Sequence, residues 1–345
     1  MSRTPPRELL YDLVATPSVS GEEHAAAARL VDYFTDHDRE AYVDEVGNIC
    51  APGDDAVLLT SHVDTVPGDI PVRVESDVLW GRGSVDAKGP LCAMAVAAVA
   101  TGVSFAGVVG EERDSRGARH LLETRDEPDT LVNGEPSGWD AVTHGYRGLL
   151  AGTYVATSPS GHASRPEPNA IETAIRWWGR LEAAFSTDQW TTVTERVTAK
   201  PLRFSGGLTD DGIAVEASVD AQFRVPFGAA VDAVRDTVEA QLDVDGPVDS
   251  NVTWKDAIPP VLVDRRGPLP AAFRRSIRRH GGEPRLLVKT GTSDMNLFAE
   301  GWNCPMVTYG PGDSNLDHAP DERIDLAEYD RTVSILEDVC ETLLA

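Results

Sequence analysis

The segment LLTSHVDTVPG, residues 58–68, closes an apolar run with His62 and Asp64 two positions apart. In an extended strand alternate side chains share a face, so the two would leave the core pointing the same way. A metal-ligating imidazole whose second nitrogen is steered by a carboxylate needs that relation. An H-x-D pattern alone is about as frequent by chance as by function. Other acids and one more histidine occupy comparable places, at predicted strand ends or in glycine-rich turns. They are Asp86 in GRGSVDAKG, Glu111 and Glu112 in VVGEERDS, Glu135 in VNGEPSGW and His318 in NLDHAPDE.

Five of these form two three-ligand sites if one carboxylate bridges. His62, Asp86 and Glu135 make one, and Glu112, Asp86 and His318 make the other. Two imidazoles among hard oxygen ligands suit zinc, with cobalt or manganese as alternatives. Two ions about 3.5–4 Å apart can activate a shared water and polarise a carbonyl together. At a strand end Glu111 and Glu112 diverge, so Glu112 can ligate while Glu111 takes a proton from the attacking water and passes it to a leaving amine. Each residue also has a plain structural reading: a solvated acidic pair for Glu111 and Glu112, an acidic loop for His318 with Asp317, Asp321 and Glu322, and a turn for Glu135. Their joint occurrence favours one site over five coincidences.

The elements that must position these residues alternate in the first part of the chain. PRELLYDLVA and EEHAAAARLVDYFTDH have helical spacing, the second with Ser20 as a candidate cap. AVLLTSHV and FAGVVGEE read as strands around an alanine-rich helix from 88 to 101, which predicts a parallel or mixed sheet covered by helices, with ligands at the carboxyl ends of the strands. From about 149 the texture changes to strand (GLLAGTYVATS), amphipathic helix (AIETAIRWWGRLEAAFS), long alternating strand (GIAVEASVDAQFRVP), helix (AAVDAVRDTVEAQL) and a closing strand (SNVTWKDA). This is an α+β insert of roughly 105 residues, the size of one domain. PRLLVKTG, CPMVTYGPG and the last helix, LAEYDRTVSILEDVCETLL, return to the first pattern. The division expected is therefore 1–148, 149–256 and 257–345, with the middle piece a second domain.

The chain of 345 residues carries a net charge of −25 and only four lysines, Lys88, Lys200, Lys255 and Lys289. A uniformly acidic, lysine-poor surface suits concentrated salt, where screening removes most of the self-repulsion, and predicts a halophilic cytoplasm. The same charge argues against nucleic acid as a partner. The longest nearly apolar run, residues 90–103, is too short to span a bilayer, and the amino terminus has no signal-type apolar core, so no membrane association is expected. Cys50, Cys92, Cys304 and Cys340 are scattered, without a C-x-x-C pair, and read as small buried hydrophobes.

In this order and spacing, SHVDTVPG, GRGSVDAKG, GEERDSRG, NGEPSGW, SGHASRP, KTGTSDMN and DHAPDE resemble the dinuclear zinc M20 peptidase and amidohydrolase family over essentially the whole chain. The resemblance implies an α/β zinc-peptidase-like catalytic domain, a mixed sheet with helices on both faces, interrupted by a ferredoxin-like α+β lid that often dimerises. It implies the same metal ligands, Asp64 as orienter of the imidazole and Glu111 as general base. It also implies that His162 helps hold the oxyanion, often across a dimer. Gly291, Thr292 and Ser293 would lie beside the substrate, where a glycine-rich turn offers backbone donors, and Arg224 would contact substrate or partner.

Within the family, GEPSGWDAVTHGYRG and KTGTSDMN look most like the lysine and arginine biosynthesis branch. Its enzymes hydrolyse the isopeptide bond between the terminal glutamate of a small acidic amino-group carrier protein and lysine or ornithine. The chain departs from that pattern at His144 and at Arg147, where the family has lysine. Rival readings are a deacylase acting on acetylornithine or succinyl-diaminopimelate, a general dipeptidase, and a binding protein that keeps the fold without the reaction. FRRSIRRH, residues 273–280, places Arg274, Arg275, Arg278 and Arg279 on a helix as a basic stripe that either docks the acidic carrier or pairs with the chain's own acids.

Overall fold

The computed structural model describes residues 4–188, 191–242 and 248–345, which cluster into two compact units. One contains residues up to 145 together with 263–288 and 293–345; the other contains 146–262 with 289–292.

A mixed sheet runs through the first unit. Seven of its strands lie in the order Tyr42–Val43, Ile49–Ala51, Val103–Val108, Asp54–His62, Leu131–Gly134, Met306–Thr308 and Ala141–Tyr146, and Arg285–Lys289 also pairs with Ala141–Tyr146. The four from Val103–Val108 to Met306–Thr308 pair in parallel, and the flanking pairs are antiparallel. Parallel strands buried on both faces lose the in–out alternation, which is why they appear in the sequence as unbroken apolar runs. All six residues of Val103–Val108 are buried.

The helix Lys88–Thr101 is buried from Lys88 through Ala98, so it shows no amphipathic stripe. Its small side chains let it pack against both Asp54–His62 and the last helix, Leu326–Leu344. It stops at Gly102, which takes the left-handed conformation (φ 81°) that closes many helices. The second helix, His24–Asp36, has Glu23 at its N-cap, and Ser20 is not its cap. Ser20 Oγ instead donates to Asp64 Oδ2 at 2.7 Å. A small antiparallel sheet, Arg323–Asp325, Val78–Trp80 and Arg73–Glu75, joins the segment after His318 to the segment before Asp86.

The second unit is an antiparallel sheet in the order Thr198–Leu208, Ala214–Val225, Gly148–Pro159, Asp249–Ile258, with helices Ala170–Ala184 and Val231–Glu239 packed on it. Numbered along the chain the strands lie 2-3-1-4 in a βαββαβ order, the ferredoxin-like arrangement. Its core includes Tyr154 and Trp177, stacked with ring centroids 4.1 Å apart. Thr198–Leu208 is absent from the sequence expectation. It is an edge strand, mostly exposed, interrupted by Pro201, Gly206 and Gly207, and so shows no alternation.

Candidate metal centre

The strand Asp54–His62 ends at His62, whose ring is buried. Its Nδ1 lies 2.9 Å from the Asp64 carbonyl oxygen, so Nδ1 carries the hydrogen and Nε2 offers a lone pair. Asp86 Oδ1 lies 3.2 Å from Nε2 and Glu135 Oε1 4.0 Å from it. The other oxygen of Asp86, Oδ2, is 3.1 Å from His318 Nε2, which is 2.9 Å from Glu112 Oε1. His62, Asp86 and Glu135 therefore form one group able to hold a cation, and Asp86, Glu112 and His318 a second, with Asp86 in both. The peptide after Asp86 is cis.

Glu111 and Glu112 do not diverge. The strand stops at Val108, Gly110 turns the chain with φ 78°, and residues 111–114 form a turn in which both carboxylates gather with His62. The turn is clamped by Asp64, which is fully buried. Its Oδ1 accepts from the Glu111 amide and its Oδ2 from the Glu112 amide, both at 3.1 Å. The Asp64 carboxylate is 3.6 Å from His62 Nδ1, farther than its own carbonyl, so it steadies the Glu111–Glu112 backbone more directly than the imidazole.

The electrostatics fit a cation. Burial pushes the Glu111 carboxyl well above the usual carboxylate range; Glu135, Asp294 and Glu112 add to the rise while His62 opposes it. Burial would also raise Asp86, but hydrogen bonds with His318 and His62 outweigh it and hold this carboxyl low. His318, hydrogen-bonded to Asp86 and Glu112, is pushed up to about 10. Carboxylates that draw protons onto two imidazoles would equally draw a divalent ion. Ligand atoms each about 2.0–2.2 Å from a tetrahedral ion stand roughly 3.3–3.6 Å apart. The histidine–carboxylate separations, 2.9 to 4.0 Å, bracket that range.

The family model described as "Peptidase family M20/M25/M40" matches residues 58–342. The chain belongs to this family. Among its M20 relatives, a protein of Thermococcus kodakarensis with the provisional name LysW-lysine/LysW-ornithine hydrolase is 40% identical, over 97% of this chain and 91% of its own length. The LysW-lysine hydrolase of Deinococcus radiodurans is 38% identical over 96% of this chain and 94% of its own. A dinuclear metal-binding M20 peptidase of Bacillus subtilis has the same fold, with a TM-score of 0.72 at 15% identity over 98% of both chains.

Other residues singled out in the M20 sequence lie elsewhere. His162 is exposed in a loop of the second unit, its Nδ1 2.8 Å from Ser164 Oγ. Arg224 Nη1 reaches Thr292 Oγ1 at 3.3 Å, also in that unit, where Gly291 belongs too. Ser293 begins the helix Asp294–Gly301 of the first unit, its amide held by Asn296 Oδ1 at 3.0 Å. Arg147 is buried, bonded to the Thr290 carbonyl, the Val193 carbonyl and Thr198 Oγ1. Of the arginine stripe on the helix Pro268–Arg279, Arg279 pairs with Asp338 at 2.8 Å, whereas Arg274, Arg275 and Arg278 have no carboxylate within ion-pair distance among the described residues. Glu322 is not part of an exposed acidic loop: it is fully buried and holds Arg82 at 2.7 Å. Asp294 is another buried acid, pushed up to about 6 by burial. Nothing in the sequence around Glu322 or Asp294 distinguishes them from surface acids.

Proposed function

We propose that this M20 chain is a dinuclear metallohydrolase that cleaves the isopeptide bond between the terminal glutamate of an amino-group carrier protein and lysine or ornithine, in lysine or arginine biosynthesis. The observation that carries the reading is identity of 38–40% over at least 96% of the chain to relatives bearing that name. The donor set favours zinc, with cobalt as the alternative. When bound, the two ions would polarise the amide carbonyl and acidify a water.

His62, Asp86 and Glu135 would hold one ion, and Glu112, Asp86 and His318 the other. Glu111 takes the proton from the attacking water and delivers it to the departing amino group, so one C–N bond breaks, one C–O bond forms, and the amine leaves with the transferred proton. Asp64 keeps the base in place by holding the Glu111 and Glu112 amides. His162 supplies the donor for the oxyanion. Arg224, bonded to Thr292, and Gly291 would contact a substrate carboxylate, and we assign Ser293 to substrate binding as well.

We assign residues 149–256 the role of a lid that also dimerises. Thr198–Leu208 supports this, because it is an eleven-residue edge strand exposing Leu202, Phe204 and Leu208. No helix among the described residues is long and apolar enough to cross a membrane. A cytoplasmic location, a salt-rich interior and an acidic carrier as partner complete the reading.

The test is hydrolysis by metal-loaded protein in molar salt, offering carrier-linked lysine, carrier-linked ornithine and free N-acetylornithine side by side. Release from the carrier substrates supports the proposal and identifies the amino acid. Turnover of N-acetylornithine alone would refute it in favour of a small-molecule deacylase.

A further inference from the structure

Asp86 faces both ligand groups, and its backbone is gripped by a carboxylate that belongs to neither. Glu322 Oε1 accepts from the Val85 amide at 2.9 Å and the Asp86 amide at 3.1 Å, while Oε2 accepts from Arg82 Nη1 at 2.7 Å. The same Nη1 reaches the carbonyl of Ala319, the residue after His318, at 3.3 Å. The Glu322 carbonyl in turn accepts from the Gly81 amide at 3.3 Å. Two loops far apart in the chain, 81–86 carrying the shared carboxylate and 318–322 carrying His318, are thus stapled through one ion pair.

A purely architectural role does not explain this arrangement. The two segments are already joined by the ladder Arg323↔Trp80, Ile324↔Leu79 and Asp325↔Val78 and by Arg323 over the Trp80 ring at 4.7 Å. What Glu322 adds lies beyond the ladder, on the amide of Asp86 itself. His62 and Glu135 follow strands of the main sheet, whereas His318 has φ 60° in an irregular loop and is half exposed, with a side-chain exposure of 52%. The residue after it, Ala319, is tied to the staple through Arg82.

We propose that Glu322, acting with Arg82, is a positioning residue that sets the Asp86–His318 separation and so fixes the metal position formed by Asp86, Glu112 and His318. The inference rests on the dinuclear reading above. Removing groups that orient metal ligands typically weakens binding by about 10–100-fold. Glu322→Ala should therefore bind the first equivalent of cobalt close to normally and the second about 10–100-fold more weakly. Glu322→Gln keeps an acceptor for the two amides but loses the charge facing Arg82, and should fall between wild type and Glu322→Ala. Arg82→Met should resemble Glu322→Gln.

The experiment is stepwise cobalt titration of the apo full-length chain, followed by calorimetry and visible absorption, with thermal unfolding recorded for each variant. The graded loss at the second equivalent, in variants that still unfold cooperatively, supports the proposal. Wild-type affinity for both equivalents in Glu322→Gln and Arg82→Met would overturn it, including in the case that Glu322→Ala fails to fold. Equal weakening of both equivalents would also overturn it, because the group would then act through the shared Asp86 or on the whole fold and not on the Asp86–His318 separation. A wild-type chain that binds one ion refutes the dinuclear reading instead; the variants are then scored on that ion, and unchanged affinity overturns the role of Glu322.

Discussion

Ser20 Oγ donates a 2.7 Å hydrogen bond to Asp64 Oδ2 across 44 residues of chain. Burial alone would raise the Asp64 carboxyl, but contacts with His62, Ser20 and the Glu112 amide outweigh it and keep the group ionised. The serine thus braces the carboxylate that holds the Glu111–Glu112 turn. A hydrogen bond to a charged group contributes about 1.5–3 kcal/mol. Ser20→Ala should lower kcat by about tenfold with KM little changed, as steady-state kinetics will show. An unaltered kcat would mean that the two backbone amides suffice to hold Asp64.

Glu111 touches the ligand groups without being needed to complete either three-residue set. Glu111→Ala should retain two metal equivalents by elemental analysis and lose about 10²–10⁴ in kcat. Loss of metal along with activity would make Glu111 a ligand. Chelation of the wild-type protein should abolish turnover, and added zinc or cobalt should restore it.

Arg275 and Arg278 are exposed, whereas Arg279 is engaged by Asp338. Reversing Arg275 and Arg278 to glutamate should raise KM for carrier-linked substrate by about tenfold at reduced salt, and by less in molar salt where the field is screened. KM for a small acylated amino acid should not move. An equal change for both substrates would remove the stripe from carrier docking.

Trp177 is 1% exposed and stacks on Tyr154. Trp177→Ala opens a cavity in the core of the second unit and should destabilise it by about 3–5 kcal/mol. Differential scanning calorimetry should then resolve a lower-temperature transition for that unit, while metal binding by the first unit persists.

Asp338 accepts from Ser276, His280 and Arg279. Burial tends to raise its carboxyl, yet these partners hold it below its ordinary value. A carboxyl lowered on folding stabilises the protein above its unfolded-state pKa, and that contribution is lost as pH falls through the folded-state value. Arg279 is largely solvent-facing and Asp338 partly exposed, so the contribution is about 1 kcal/mol or less. Asp338→Asn should lower the melting temperature slightly at neutral pH and match wild type in strong acid; a constant difference at all pH values would contradict the assignment.

His62, Glu112 and Glu135 stand out in the sequence because a buried parallel strand is an unbroken apolar run, and a polar residue at or just past its end has few reasons to be there, whereas Asp86 and His318 lie in loops away from such strands and stand out only through their glycine- and acid-rich surroundings. Their convergence from loops at the strand ends follows from the same pattern. The geometry of Glu111 and Glu112 was not legible, since it depends on Gly110 turning the chain before the pair. Ser20 reads as a helix cap because caps are local, whereas its partner is 44 residues away. Arg82 and Glu322 are 240 residues apart, and DHAPDE carries no mark that its last acid is buried. The strand Thr198–Leu208 escapes for another reason: an exposed edge imposes little pattern on its side chains.

In the second unit Leu149 pairs directly with Ile258, near the two ends of its continuous stretch 146–262. Antiparallel partners stand about 4.5–5.5 Å apart, so the first and last strands of this sheet bring their ends side by side with about a hundred residues looped between them. A module whose two ends meet in this way can lengthen or shrink between them without parting them, which is the geometry that tolerates insertion.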